Sequence, residues 1–242
     1  MQSTSFVRHQ RGLSIIELLV GVAIGLFILG GALKLFGDNM HNNRRLVLET
    51  LVNQDMRAAA DLIARDLRRA GYWGNSTAGV VTTNSMPVAA TSPYAAVDQT
   101  TTAPIATLYS YSQGTEDNAL DSSTENFGFR LNSGTLEYRQ GGNWQSMTDP
   151  KVLTITNFTA TPVHRCVQLQ QYCTGGSSST CAACAVDAGG CPTATCATCP
   201  FIKVRSYNIA LEGKSTADTS VVRNLQESVR LRNDQLLGSC PL

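Results

Sequence analysis

The sequence predicts an α+β protein: one long N-terminal helix, then a β-rich head of antiparallel strands carrying a cysteine-rich insert. Three observations predict it. There is no charge from Leu18 to Leu33, and with its flanks the apolar run from Leu13 to Phe36 is long enough to cross a bilayer, which takes roughly 20 residues as a helix. Apolar residues then recur at three- and four-residue steps from Leu48 to Leu67, the mark of one helical stripe. Beyond Gly71, runs rich in β-branched and aromatic residues alternate with glycine-containing turns.

Residues 1–12 form a short leader whose only charges are Arg8 and Arg11. Residues 13–36 are the membrane helix. Gly21, Gly25, Gly30 and Gly31 lie within it, and small residues let neighbouring helices approach closely. Glu17 sits inside the apolar run. A carboxylate there costs roughly 2.5–3.5 kcal/mol on insertion scales, so it needs a partner. An α-amino group, with a pKa of about 8, would serve. That amine exists only if the chain is cut after Gly12. Residues 37–71 are an amphipathic stalk helix, with Gly37-Asp38-Asn39 expected to soften its start. Its stripe is Leu48, Leu51 or Val52, Met56, Ala59, Leu62 or Ile63, and Leu67. Asp61 precedes Arg65 by four residues on the polar side, Arg68 and Arg69 suit the negative end of the helix dipole, and Gly71 is a natural stop.

A glycine, then an apolar residue, then Glu as the fifth residue after the cut, then an unbroken apolar helix: the segment Arg11-Gly12-Leu13-Ser14-Ile15-Ile16-Glu17 resembles the type III signal of type IV pilins and type II secretion pseudopilins. In that family the residue after the cut is usually Phe; here it is Leu13. Two plainer readings compete. Gly30-Gly31-Ala32 looks like the cleavage site of an ordinary secretory signal peptide, but Glu17 inside the apolar core argues against it. An uncut membrane anchor satisfies the length rule and leaves Glu17 unexplained.

The head occupies residues 72–242. Residues 75–107, rich in Thr, Ala, Ser and Pro, read as loop with at most a short strand. Phe127–Leu131, Asn132-Ser133-Gly134 and Thr135–Arg139 read as a hairpin, Gly141-Gly142-Asn143 turns again, and Trp144 starts a strand. Val152–Thr159 and Phe201–Leu211 are strands, and Leu225–Arg232 is the expected last one. Short turns between consecutive strands imply an antiparallel sheet.

Net charge is +1 with no basic stripe, so nothing points to nucleic acid. The eight cysteines are Cys166, Cys173, Cys181, Cys184, Cys191, Cys196, Cys199 and Cys240, seven of them within an insert at 166–199. Four disulfides among them allow about 105 connectivities. The insert is nearly free of large apolar side chains and cannot hold itself together without staples. Cys181-x-x-Cys184 and Cys196-x-x-Cys199 also have zinc-ribbon or redox spacing. The pilin-like signal implies an oxidising compartment, which favours disulfides over either. Cys240 is expected to tie the tail to the head or the insert. His9, His41 and His164 have no legible nucleophile beside them, and no glycine loop for phosphate is present. No catalytic residue, metal or cofactor is expected, and the chain does not read as an enzyme.

Arg68-Arg69-Ala70-Gly71-Tyr72-Trp73-Gly74 at the helix exit and Val229-Arg230-Leu231-Arg232-Asn233 near the end are similar to the PilW-type minor pilins, the latter also to J-type pseudopilins. The resemblance implies a type IV pilin-like fold, the long helix packing its second half on the head. It implies cleavage by prepilin peptidase between Gly12 and Leu13, N-methylation of Leu13, and a charge pair between Glu17 and the new amine. It also implies an inner-membrane subunit with its head in the periplasm, later at the pilus tip. Its partners would be other minor pilins, the major pilin, the inner-membrane assembly platform and a tip adhesin, its role the initiation of assembly for twitching and adhesion. A J-type minor pseudopilin of type II secretion is the alternative, and a membrane-anchored adhesion or binding module is the second.

Overall fold

The computed structural model describes residues 14–76, 92–100, 103–114, 118–172, 184–193 and 199–238. One helix, α1 (Ile15–Leu67), runs without interruption through Gly37-Asp38-Asn39, so the expected softening there does not occur. Its start is capped. Glu17 N and Leu18 N donate to Ser14 O at 3.0 and 3.2 Å, while Ser14 N donates to Glu17 Oε2 at 3.3 Å. Ser14 Oγ accepts from Ile16 N at 3.4 Å, so the side chains of Ser14 and Glu17 both cap the first turn, as in a capping box whose serine reaches the second amide rather than the third.

The chain divides into two compact units, residues 1–47 and 48–242. In the first, every described residue is exposed, and this part of α1 is long and apolar enough to cross a membrane. A Cβ added at Gly21, Gly25, Gly30, Gly31 or Gly37 would meet nothing within 4 Å.

The second unit holds the rest of α1 and two sheets rather than one. β1 (Val97–Gln99), β2 (Ala106–Ser110), β3 (Asn126–Asn132), β4 (Thr135–Gln140) and β5 (Asn143–Ser146) form an antiparallel meander in chain order. The β3–β4 turn is Ser133-Gly134, both at positive φ (50° and 81°), which gives the tight hairpin that Asn132-Ser133-Gly134 predicts. Of the loop expected over 75–107, residues 77–91 and 101–102 lie outside the described residues; β1 is the short strand allowed there, and β2 already begins at Ala106. In the second sheet, β7 (Phe201–Ser215) lies between β6 (Leu153–Gln168) and β8 (Val222–Arg230). β6 is twice the length expected and carries three residues of the insert into the sheet. Nor is β8 the last strand: β9 (Gln235–Leu237) pairs with Phe201–Lys203 at the start of β7.

Both sheets and the second part of α1 share one core. The helix buries Val52, Met56, Ala59, Ala60, Ile63, Ala64 and Leu67, while Leu51 and Leu62 stay outside, each 41% exposed, which resolves both alternatives in the stripe. Asp61 and Arg65 form no ion pair. Gly213 on β7 lets the helix come close: a Cβ there would lie 3.2 Å from Met56 Sδ and 2.9 Å from Leu153 Cδ1.

Candidate functional site

Gly12 and Leu13 lie outside the described residues, so the site begins at Ser14. Glu17 projects from an exposed turn of α1 and bends back along the helix toward its start. That direction is the one a carboxylate needs to reach an amine at position 13. The capping bond satisfies one lone pair of a group that carries several, so the charge is still available to a cation.

The helix exit is tied to the head by buried polar and aromatic contacts. Asp66, only 7% exposed, sits on the apolar stripe and accepts a short hydrogen bond from Tyr109 Oη. Arg69 Nη1 lies 3.7 Å from the same carboxylate, and its guanidinium covers the Tyr111 ring at 4.3 Å from the centroid. Tyr111 stacks on Phe127 at 4.0 Å. Burial, then the Asp66 charge, push the Tyr109 hydroxyl well above the ordinary phenol range, and Tyr138 rises for the same two reasons. These phenols stay protonated, so Tyr109 serves as a donor to the buried carboxylate. The cluster ties the last turn of α1 to β2, β3 and β4.

The chain then turns at Gly71, with φ +75°. Gly71 N donates to Ser110 O at 2.8 Å and Ser112 N to Tyr72 O at 2.8 Å, so the exit segment runs on beside β2. Asn233 Nδ2 reaches Ala70 O at 3.2 Å and Arg69 O at 3.4 Å, and Arg232 N donates to Arg68 O at 3.2 Å. These bonds satisfy carbonyls that the helix end leaves open. Arg205 on β7 completes the junction, with Nη2 on Asn233 O at 2.9 Å and Nη1 on Ala95 O at 2.6 Å. The two segments that carry the resemblance, 68–74 and 229–233, therefore meet in space. Asp66 and Arg205 went unnoticed in the sequence. The signal for each is a charge placed in register with an apolar face: Asp66 three residues after Ile63, Arg205 two before Tyr207.

In the insert, Cys166 on β6 is bonded to Cys191. Cys184 and Cys199 are also oxidised, with sulfurs 3.4 Å apart and so not joined to each other. They pack with Phe201 and Leu237 as a small satellite core. Cys173, Cys181, Cys196 and Cys240 lie outside the described residues, and with them the rest of both C-x-x-C motifs and the expected tie of the tail. Asp187 organises residues 184–193. Its Oδ1 accepts from Gly189 N at 2.8 Å and Cys191 N at 2.9 Å, and its Oδ2 pairs with His164 Nε2 at 2.7 Å. The His164 bond, then the Cys191 amide, hold the Asp187 carboxyl below its usual range. His164, Asp187 and Cys191 lie close enough together for a metal, but a sulfur already in a disulfide is no thiolate ligand. His164 thus fixes a loop, and His41 lies exposed on α1.

Residues 45–231 match the family described as prepilin peptidase-dependent protein B, and residues 7–33 match the prokaryotic N-terminal methylation motif. The chain belongs to the prepilin peptidase-dependent protein B family. It is a membrane-anchored, type IV pilin-like protein, as the resemblance of residues 11–17 implies. No curated protein and no solved structure matches it. The family region takes in the helix exit, Asp66, both sheets as far as Leu231, and the whole insert. The methylation motif takes in Gly12, Leu13 and Glu17.

Proposed function

We propose that this chain is a minor pilin of the type IV pilus that helps to initiate pilus assembly within a tip complex of minor pilins. The observation that carries the reading is the continuity of signal and stalk. The methylation motif over 7–33 leads into a single helix whose C-terminal part enters the core of the family region. Prepilin peptidase cuts between Gly12 and Leu13 and methylates the new amine; the family's name ties its members to that peptidase. The exposed apolar face of α1 holds the subunit in the inner membrane until it packs against other pilin helices. Oxidised cysteines in the head support a periplasmic and later surface location. The partners are other minor pilins, the major pilin and the assembly platform, and the chain works as a structural subunit rather than an enzyme.

The test is the amount of pilin sheared from cells lacking this gene, with retraction intact and with retraction blocked. Loss of surface pili, recovered in part when retraction is blocked, is the expected outcome. Unchanged pili in both backgrounds would reject the pilus role and assign the subunit to a secretion pseudopilus or to surface binding.

A further inference from the structure

A groove of about 430 Å³ crosses the β6–β7 face of the second sheet beneath residues 92–97. Alternation along β7 puts Lys203, Arg205 and Tyr207 on one face, and the register places His164 opposite Arg205 and Gln235 opposite Lys203. Arg205 is 8% exposed, gives its two Nη groups to the Ala95 and Asn233 carbonyls, and has no partner at Nε. Neither Arg205 nor Lys203 is ion-paired among the described residues. Among the described side chains, Asp187 is paired with His164 at 2.7 Å, and Asp234, which lies near enough to favour the charged guanidinium of Arg205, is paired with Arg230 at 3.2 Å. Burial disfavours the charged form of Arg205, yet a guanidinium does not discharge in a protein. The groove floor is therefore a buried cation held by two carbonyl dipoles, with the Asp234 charge nearby but no carboxylate in contact with it among the described residues, an arrangement that gains from an arriving carboxylate.

The walls narrow the choice of anion. Pro93, Val97, Pro162 and Val163 line the groove beside the two cations. A carboxylate on an aliphatic stem satisfies both surfaces, whereas a fully hydrated phosphate uses only the charge. We propose that this groove binds an acidic side chain, Glu or Asp, presented by a segment of another polypeptide, with Lys203 and Arg205 holding the carboxylate and the proline–valine walls holding its stem. The site is independent of the pilus reading, because its test measures peptide capture and not assembly.

The test uses the full-length protein in detergent with the peptide acetyl-Ala-Glu-Ala-amide and a water-soluble carbodiimide. The reagent activates the peptide carboxyl, and a lysine amine held against it displaces the activating group as a urea and forms an amide. Peptide mapping then compares Lys203 with Lys34, Lys151 and Lys214, the other lysines of the chain. Labelling of Lys203 several-fold above Lys151 and Lys214 is expected, and equal labelling overturns the proposal. Inorganic phosphate at the peptide's concentration is expected to leave the preference intact; if it competes fully, the groove is a general oxyanion site and the acidic-peptide assignment fails. The variant Gln235→Glu supplies a resident carboxylate opposite Lys203. It is expected to remove the preference for Lys203 and raise the thermal midpoint, and labelling as in the parent chain would equally overturn the site.

Discussion

Gly71 shows how much one residue decides at the helix exit. Its φ of +75° is a region that L side chains rarely adopt, and a Cβ would fall 2.5 Å from Arg205 Nη2. Gly71→Ala is therefore expected to destabilise the head by about 2 kcal/mol, through backbone strain and displacement of the buried guanidinium. A urea midpoint within error of the parent's would show that the junction tolerates a side chain. Asp187 gives a second prediction, on pH. Its folded pKa lies below the ordinary value of 3.8 because His164 and the Cys191 amide favour the carboxylate. A depressed pKa contributes stability that is present above the unfolded value and lost as pH falls through the folded one. The contribution thus persists down to the normal carboxylate range and disappears only below it. Asp121 is lowered too, by Ser123 and Thr124, so the raw acid limb belongs to both groups. The useful quantity is the thermal midpoint of the parent minus that of Asp187→Asn. It is expected to be positive near neutrality and to shrink toward zero as pH drops below that range. A difference that does not vary with pH would mean Asp187 acts by shape alone.

Legibility in the sequence changes with the reach of the interaction that makes each element. The stripe of α1 and the β3–β4 hairpin are local, set by three- and four-residue steps and by Ser133-Gly134, and both were readable. β2 was not, because Ala106-Thr107-Leu108-Tyr109-Ser110 follows a proline-rich stretch and is buried at four of five positions, which removes the alternation that marks a half-exposed strand. β9 pairs with residues more than thirty positions earlier, and the separation of one expected sheet into two depends on such long-range pairings. Disulfide partners are of the same kind: the spacings left about 105 connectivities, and only the fold brings Cys166 and Cys191 together. This staple supports a prediction for the insert. Residues 184–193 rest on β6 through the Cys166–Cys191 bond, the Cys166 N to Gly189 O bond at 2.9 Å and the His164–Asp187 pair, with little apolar burial beneath them. Replacing both cysteines by serine is expected to remove about 2–4 kcal/mol locally and to expose this loop to proteolysis. From Tyr207 onward the β7–β8 core should keep its amide protection, since Tyr207, Ile209, Leu211 and Val229 belong to the other cluster. Loss of protection throughout β7 and β8 would show instead that the insert and the core fold as one unit.

At the scale of the whole molecule, an oxidised, compact head and a charge-poor helix meet different solvents, and Glu17 is the one acid between Ser14 and Phe36. The capping bond from Ser14 N accounts for its local geometry; with α1 in a bilayer it would leave a carboxylate in hydrocarbon, where a lone charge is expensive and a cation of the same depth relieves both. The amine that the proposed cut would create at Leu13 would be such a cation, on this chain or on a neighbour. Glu17→Ala separates anchoring from assembly, because alanine is an excellent helix former and the remaining apolar run still spans the bilayer. The variant is expected to insert, to be cut to the mature mass and to accumulate in the membrane, yet to be missing from sheared filaments and from minor-pilin complexes captured after cross-linking. A variant that stays uncut would place Glu17 in recognition by the peptidase. One that is cut and enters filaments at the parent's level would leave the helix cap as its whole role, and the register of neighbouring helices would then have to come from Gly21, Gly25, Gly30 and Gly31, the small residues whose faces stand open on α1.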